Sequence, residues 1–247
     1  MLNAYQDANS AIKYLDFLNS PNGQIQQNIL WQTISLRLPH DPESKILDAG
    51  CGPGWLTTKL HKLYSNIQAC DSSELFIKFA KSHNTNIPFT QAGLLESLPY
   101  PENYFDTIIL NMVGPDLANL DLAIKNISVV LKPGGVLIMT VPNPKYSFPA
   151  AVWKRGFLDI LLRKKPKLIF QTPPPVGQKI QREFSYQGFI PSFYYTLENY
   201  QKAARSAALT QTHMEEIRSL TDSKKFDLNY QLYRYPLLLL LEFSKLS

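Results

Sequence analysis

Residues 45–54 read KILDAGCGPG: an apolar run ends in Asp48, and glycines stand at 50, 52 and 54 before an amphipathic segment begins. Alternate glycines let a backbone turn tightly and approach a ligand closely, because no side chain fills the space. Two phosphate-binding patterns lie near this one, and neither fits. In G-x-G-x-x-G the third glycine allows a helix to pack beside a pyrophosphate; counted from Gly50, that position is Trp55. The other pattern ends in Gly-Lys-Ser/Thr, which the chain lacks. The spacing therefore predicts close backbone approach to a cofactor without phosphates. Cys51 and Cys70 are too few for a disulfide framework or a four-cysteine zinc site, and are expected to be small packing residues. No metal site is expected. His40, His61, His83 and His213 form no recognisable catalytic pair, so no general base is named.

The elements that must hold this loop follow from hydrophobic periodicity. Strands are predicted at Lys45–Ala49, Ile67–Cys70, Ile87–Gln91, Phe105–Met112 and Val136–Val141. Between them run helical segments carrying Leu56, Leu60, Leu63 and Tyr64, then Leu75, Phe76, Phe79 and Ala80, then Leu117–Leu131, which should stop at a turn made by Lys132-Pro133-Gly134-Gly135. Such alternation implies a parallel, doubly wound α/β sheet with its ligand at the carboxyl ends of the strands. Residues 1–44 read as a helical extension broken at Pro21-Asn22-Gly23. A helix is expected at Thr196–Leu209, then strands at Thr210–Ile217 and roughly Leu228–Phe243.

This arrangement resembles the class I S-adenosylmethionine-dependent methyltransferases of the small-molecule type, with KILDAGCGPG as their first motif. Four further features agree: Asp71 at the end of the second strand, Leu98-Pro99-Tyr100 with Asn103-Tyr104-Phe105-Asp106 before the fourth, Lys132–Gly135 before the fifth, and the helix-and-strand region Thr196–Ile217. The resemblance implies a mostly parallel seven-stranded sheet, with an S-adenosylmethionine-binding core at 45–141 and 196–247. It implies that Asp48 and the backbone of Gly50 and Gly52 hold the methionine end, and that Asp71, with Ser72 beside it, holds the ribose. Asn111 would lie beneath the methionine portion. Where many relatives carry an acid for the adenine amino group this chain has Leu94, so the backbone of Leu94 and Leu95 would read the adenine edge.

Residues 142–195 interrupt the alternation with 11 of the 29 aromatic residues and eight of the 18 prolines, too aromatic for a disordered connection. They are expected to form a substrate lid, with Tyr146, Trp153, Tyr194 and Tyr195 as candidate lining residues for a small apolar or ring-containing acceptor. The Asn/Asp-Pro-Pro-Tyr box of amino-methyltransferases is absent, since Asn111 is followed by Met112-Val113-Gly114. The net charge of +5 is concentrated in residues 154–167, where Lys154, Arg155, Arg163, Lys164, Lys165 and Lys167 face one acid, Asp159. So local a charge argues against a general nucleic-acid-coating protein. Trp153–Lys167 reads as a surface or lid helix, with peripheral membrane contact the less favoured alternative. The N-terminal residues lack a basic start and apolar core, and the longest apolar run, Pro236–Leu241, cannot span a bilayer, so a cytoplasmic location is expected. Three functions remain: a small-molecule methyltransferase, a nicotinamide-dependent oxidoreductase disfavoured by Trp55, and a cofactor-binding module without transferase activity.

Overall fold

The computed structural model describes residues 7–183 and 189–246; the outermost part of the N-terminal extension and five residues of the expected lid lie outside them. Seven strands form one sheet: β1 (Ile46–Ala49), β2 (Ile67–Asp71), β3 (Phe89–Gln91), β4 (Phe105–Asn111), β5 (Leu131–Pro142), β10 (Leu209–Ile217) and β11 (Leu238–Lys245). Their order is β10-β11-β5-β4-β1-β2-β3. The five β1–β5 strands pair in parallel, and β11 runs antiparallel to both β5 and β10. The chain winds outward from β1 through β2 to β3, then returns to lay β4 on the other side of β1. That reversal opens a crevice at the carboxyl ends of β1 and β4, where sheets of this kind bind ligands. The predicted parallel, doubly wound α/β architecture is the observed one.

Both faces of the sheet are covered, which is why β4 is continuously apolar over Ile108–Leu110 in its centre. On one face α5 (Leu120–Val130) and α7 (Leu197–Ser206) pack Leu120, Ile124, Ile127, Tyr200 and Ala203 over Leu47, Ile108 and Leu137. On the other, α2 (Pro21–Ser35), α3 (Trp55–His61), α4 (Glu74–His83) and α8 (Leu228–Arg234) bring Leu30, Ile34, Leu60, Ile77 and Leu232 against Ile46, Ala69 and Ile109. Phe105 is fully enclosed at the foot of β4; truncating a ring in such a place costs about 3–5 kcal/mol.

The extension does break directly before Pro21-Asn22-Gly23, with no loop between its two helices, and three other local expectations are corrected. α1 (Ala8–Asn19) and α2 meet at Ser20, whose hydroxyl accepts the Gly23 N–H at 3.1 Å while Pro21 occupies the first turn, where its missing N–H costs nothing. A side chain at Gly23 would collide with the Phe17 carbonyl, so the close helix junction requires glycine. Lys132–Gly135 is a bulge inside β5, not a turn ahead of it: pairing passes from Phe105↔Leu131 to Thr107↔Val136, and the four residues loop out of register. The expected strand over Leu228–Phe243 begins instead with α8, capped by the Asp227 carboxylate, which accepts the Tyr230 N–H; β11 starts only after Pro236. Finally, Trp153–Lys167 is not one helix. Trp153 lies on β6 (Ala151–Lys154), which pairs antiparallel with β7 (Lys167–Phe170), and only Phe157–Leu161, α6, is helical between them. A second two-stranded unit, β8 (Lys179–Glu183) with β9 (Phe189–Phe193), completes the 142–195 segment. No helix among the described residues is long and apolar enough to cross a membrane.

Candidate functional site

The loop leaving β1 is held in shape by its neighbour β2. The N–H groups of Gly50 and Cys51 both donate to the Cys70 carbonyl, at 2.7 and 3.0 Å, and Gly50, Gly52 and Gly54 all adopt positive φ. That conformation costs a non-glycine residue about 1–2 kcal/mol, which accounts for the alternating glycines. The space around them differs. A Cβ on Gly50 would stand 2.5 Å from Val113 Cγ2, so this glycine makes room for the chain leaving β4. On Gly52 a Cβ would meet nothing closer than Tyr14 Cε1 at 3.6 Å.

Asp48 is 1% exposed, beneath this loop, and its Oδ2 accepts the Thr57 hydroxyl of α3 at 2.6 Å. Burial pushes its carboxyl up to about 7; the Thr57 hydrogen bond opposes that shift and the charge of Asp71 adds to it. Asp71, at the carboxyl end of β2, is also buried. Its Oδ2 accepts the Gly52 N–H at 2.9 Å and its Oδ1 the Ser73 N–H at 2.8 Å. Burial raises this carboxyl too, against those two backbone hydrogen bonds. Each carboxylate oxygen has a second lone-pair direction beyond the backbone donor it already holds. Ser72 follows directly, partly buried and facing Gly93.

Asn111 ends β4 with its Oδ1 accepting the Thr140 hydroxyl of β5 at 2.8 Å. This fixes the amide's orientation and leaves its N–H₂ group for another acceptor. The next residue, Met112, has φ 63, an uncommon conformation for a side-chain-bearing residue, and its N–H donates to the Thr140 carbonyl at 2.8 Å. Strain of this kind gathers where a chain must turn sharply beside a ligand site. Leu94 turns inward to join the core with Leu98, Leu120 and Ile124, and its carbonyl accepts the Asn126 side chain at 3.0 Å. Leu95 is exposed.

The structure thus gathers Asp48, Gly50, Gly52, Asp71, Ser72 and Asn111 along the carboxyl ends of β1, β2 and β4. Two participants escaped the sequence reading. Tyr14 of α1 lies over Gly52 and packs its ring on Phe76 of α4, centroids 5.6 Å apart. Only the tertiary docking of α1 could reveal this. Met112 is the other, and a lone methionine after an apolar strand gives no signal of positive φ.

The four candidate lining residues separate into two places. Tyr194 and Tyr195 border a shallow cleft shared with Pro115, Pro142, Phe148 and Ser192. It opens beside the exits of β4 and β5, and the Tyr195 hydroxyl donates to the Leu117 carbonyl at 2.8 Å. Tyr146 and Trp153 pack instead on Tyr235, with centroids 5.9 and 5.8 Å away, and do not border this cleft. Phe170 and Phe226 extend that aromatic cluster.

Known proteins resemble this chain in sequence and in fold. Residues 47–139 match the profile of a family described as a methyltransferase domain. Over 112 residues the chain is 31% identical to a malonyl-[acyl-carrier protein] O-methyltransferase of Erwinia billingiae, covering 44% of each chain. It is 34% identical over 116 residues to the mitochondrial ubiquinone biosynthesis O-methyltransferase of Rattus norvegicus, covering 42% of this chain and 34% of the relative. The match spans less than half the length of these two curated relatives. Among solved structures, an S-adenosylmethionine-dependent methyltransferase from Mesorhizobium loti superposes with a TM-score of 0.68 at 20% identity, covering 88% of this chain and 98% of the other.

Proposed function

We propose, from the premise that this chain carries a class I S-adenosylmethionine-dependent methyltransferase domain, that the protein transfers a methyl group from S-adenosylmethionine to a small acceptor with apolar or ring character. The observation that carries this reading is the buried Asp71 carboxylate, shared between the glycine loop and the end of β2. A vicinal diol needs an acceptor with two oxygens, and Asp71 offers one spare lone-pair direction on each. The loop around Asp71 also suits this cofactor better than a dinucleotide. Trp55 opens α3 where a dinucleotide site needs its third glycine, so no bare helix start is available for a pyrophosphate.

When bound, S-adenosylmethionine supplies an electrophilic methyl group on a sulfonium. The protein's task is then to hold two reactants in line and keep water away, which together contribute more here than proton transfer. Asp71 and Ser72 would hold the ribose, and the backbone of Leu94 and Leu95 the adenine edge. Asp48 shapes the glycine loop from below and, with Gly50 and Gly52, would seat the methionine end. The N–H₂ group of Asn111, its amide fixed by Thr140, would donate to the methionine portion's carboxylate. Product S-adenosylhomocysteine would occupy the same contacts.

The acceptor would enter through the cleft at the exits of β4 and β5. Pro115, Phe148, Tyr194 and Tyr195 offer it apolar and aromatic walls. Residues 142–195 would act as its lid, and the 1–44 extension would cover the cofactor through Tyr14. Malonyl-[acyl-carrier protein], named in one curated relative, and compounds of ubiquinone biosynthesis, named in the other, are the first acceptors to try. Calorimetric titration should show S-adenosylhomocysteine binding and no response to NAD. Transfer of labelled methyl to a panel of carboxylate, phenol and quinol acceptors then separates a transferase from a module that only binds the cofactor. NAD binding without S-adenosylhomocysteine binding would overturn the proposal.

A further inference from the structure

The connection between β6 and β7 ends in an apolar tip that the other described residues leave uncovered. Phe157 is 82% exposed, Leu161 69%, Leu162 60% and Ile160 57%. Single exposed apolar side chains are ordinary, but four within six consecutive positions make a patch that asks for a partner. Basic side chains flank it: Lys154 and Arg155 before the patch and Arg163, Lys164 and Lys167 after it are all exposed. Asp159 is the one acid between Lys154 and Lys167. The sixth cation, Lys165, has a different task. Its Nζ donates to the Ser223 carbonyl at 3.0 Å and lies 3.9 Å from the centre of the Tyr230 ring. With Trp153 packed edge-on against Phe226 at 5.2 Å, it fastens the base of the hairpin to the segment around α8. The base is anchored while the tip projects.

We infer that this tip docks on the surface of an anionic lipid bilayer, with Phe157, Ile160, Leu161 and Leu162 entering the headgroup boundary and the flanking cations pairing with anionic headgroups. Apolar insertion and basic attraction together are what interfacial binding requires, since either signal alone gives marginal affinity. Two other occupants are disfavoured by the same residues. A second copy of the chain would bring its own five-cation rim against this one, placing like charges together. A folded protein partner would meet a lysine-rich rim and an aliphatic centre, whereas protein interfaces are depleted in lysine. The inference is independent of the methyl-transfer reading, because none of these residues borders the cofactor loop or the cleft.

The test is co-sedimentation of the full chain with phosphatidylcholine vesicles, with or without about one-third phosphatidylglycerol. The expected result is binding to the phosphatidylglycerol vesicles alone, weakening at least about tenfold as salt rises from low to physiological and above. Phe157→Ser with Leu161→Ser, and separately Lys154→Glu with Lys164→Glu, should each weaken binding about tenfold or more. All four side chains are exposed, so melting temperature and S-adenosylhomocysteine affinity should stay at wild-type values. Three results would overturn the inference: no binding to phosphatidylglycerol vesicles at low salt, undiminished binding by both folded variants, or a wild-type dimer in light scattering that Phe157→Ser with Leu161→Ser makes monomeric.

Discussion

The backbone N–H of Gly52 donates to Asp71 Oδ2 across 2.9 Å, so the glycine loop after β1 and the acid ending β2 form one hydrogen-bonded unit. The other oxygen of Asp71 holds the Ser73 N–H, which starts α4. One carboxylate thereby positions a loop, a helix start and a candidate ribose site at once.

Replacing Asp71 should damage both stability and binding. Asp71→Ala orphans the two N–H groups and removes two proposed hydrogen bonds in which the ribose hydroxyls donate to a charged acceptor, each worth about 1.5–3 kcal/mol. The expected loss of S-adenosylhomocysteine affinity is therefore about 100-fold or more. Calorimetry below the variant's melting temperature checks this; unchanged affinity in folded protein means that Asp71 is a loop anchor and nothing more.

The two glycines of the loop should behave differently when substituted. Gly50→Ala drives a Cβ into Val113 at 2.5 Å and strains a positive φ, so it should cost about 2–4 kcal/mol of stability. Adding Val113→Ala should recover the steric part and leave about 1 kcal/mol of backbone strain. At Gly52 the space is open, so Gly52→Ala should keep the fold to within about 2 kcal/mol and lose cofactor affinity instead. Denaturant titration of the four proteins, paired with calorimetry, reads both effects. Equal stability losses at the two positions, with no rescue by Val113→Ala, would contradict the assignment.

That contrast also marks what could be read from the chain alone. The β1, β2, β4 and β5 positions were legible because a strand covered on both faces must be apolar in its centre, as Ile108, Ile109 and Leu110 are. The need for glycine at 50 and 52 was legible too, but not that one makes room for Val113 and the other lies under Tyr14. Those are contacts between residues 63 and 38 positions apart, set by tertiary packing. The 228–243 region misled for a related reason. Leu228, Leu232 and the apolar run from Leu237 look continuous, while the break depends on a cap, Asp227 on Tyr230, that competes with strand propensity. In the 142–195 segment the hairpins follow no regular alternation, and their aromatic residues were better evidence of order than of geometry.

Asp48 supplies a pH test. Its carboxyl is raised in the folded protein to about 7, from the ordinary 3.8, mainly by burial. Between those values the folded state binds more proton than the unfolded state, so this group's contribution to stability is fully present below about 4 and is lost as pH rises through about 7. Asp48→Asn keeps an acceptor for Thr57 and removes the charge. It should therefore gain stability relative to the native sequence on going from pH 5 to pH 8, by an amount on the order of 2 kcal/mol. Parallel denaturant titrations at the two pH values decide the matter, and a difference that stays constant would mean that Asp48 is charged throughout.

The proposed lid is the part of the assignment most open to direct removal. Every strand of the seven-stranded sheet lies outside residues 146–190, as do Asp48, Gly52, Asp71 and Asn111. Exchanging 146–190 for a short glycine-serine linker should thus leave S-adenosylhomocysteine affinity within about threefold of the native value, under 1 kcal/mol. It would strip Phe148 and the flanking Ser147 from the cleft, along with whatever cover the hairpins give it, and so unseat the acceptor. Methyl transfer to any acceptor found active on the native protein should fall by about 100-fold or more, because alignment and water exclusion carry this chemistry. The exchange also uncovers Tyr235, Phe226 and Tyr230, on which Tyr146 and Trp153 now pack. Changing Phe226 and Tyr230 to serine in the same protein guards against aggregation through that face. Calorimetry then separates the outcomes: retained cofactor binding with lost transfer assigns the segment to the acceptor, whereas lost binding in a cooperatively unfolding variant places it in the cofactor site, and the lid assignment falls.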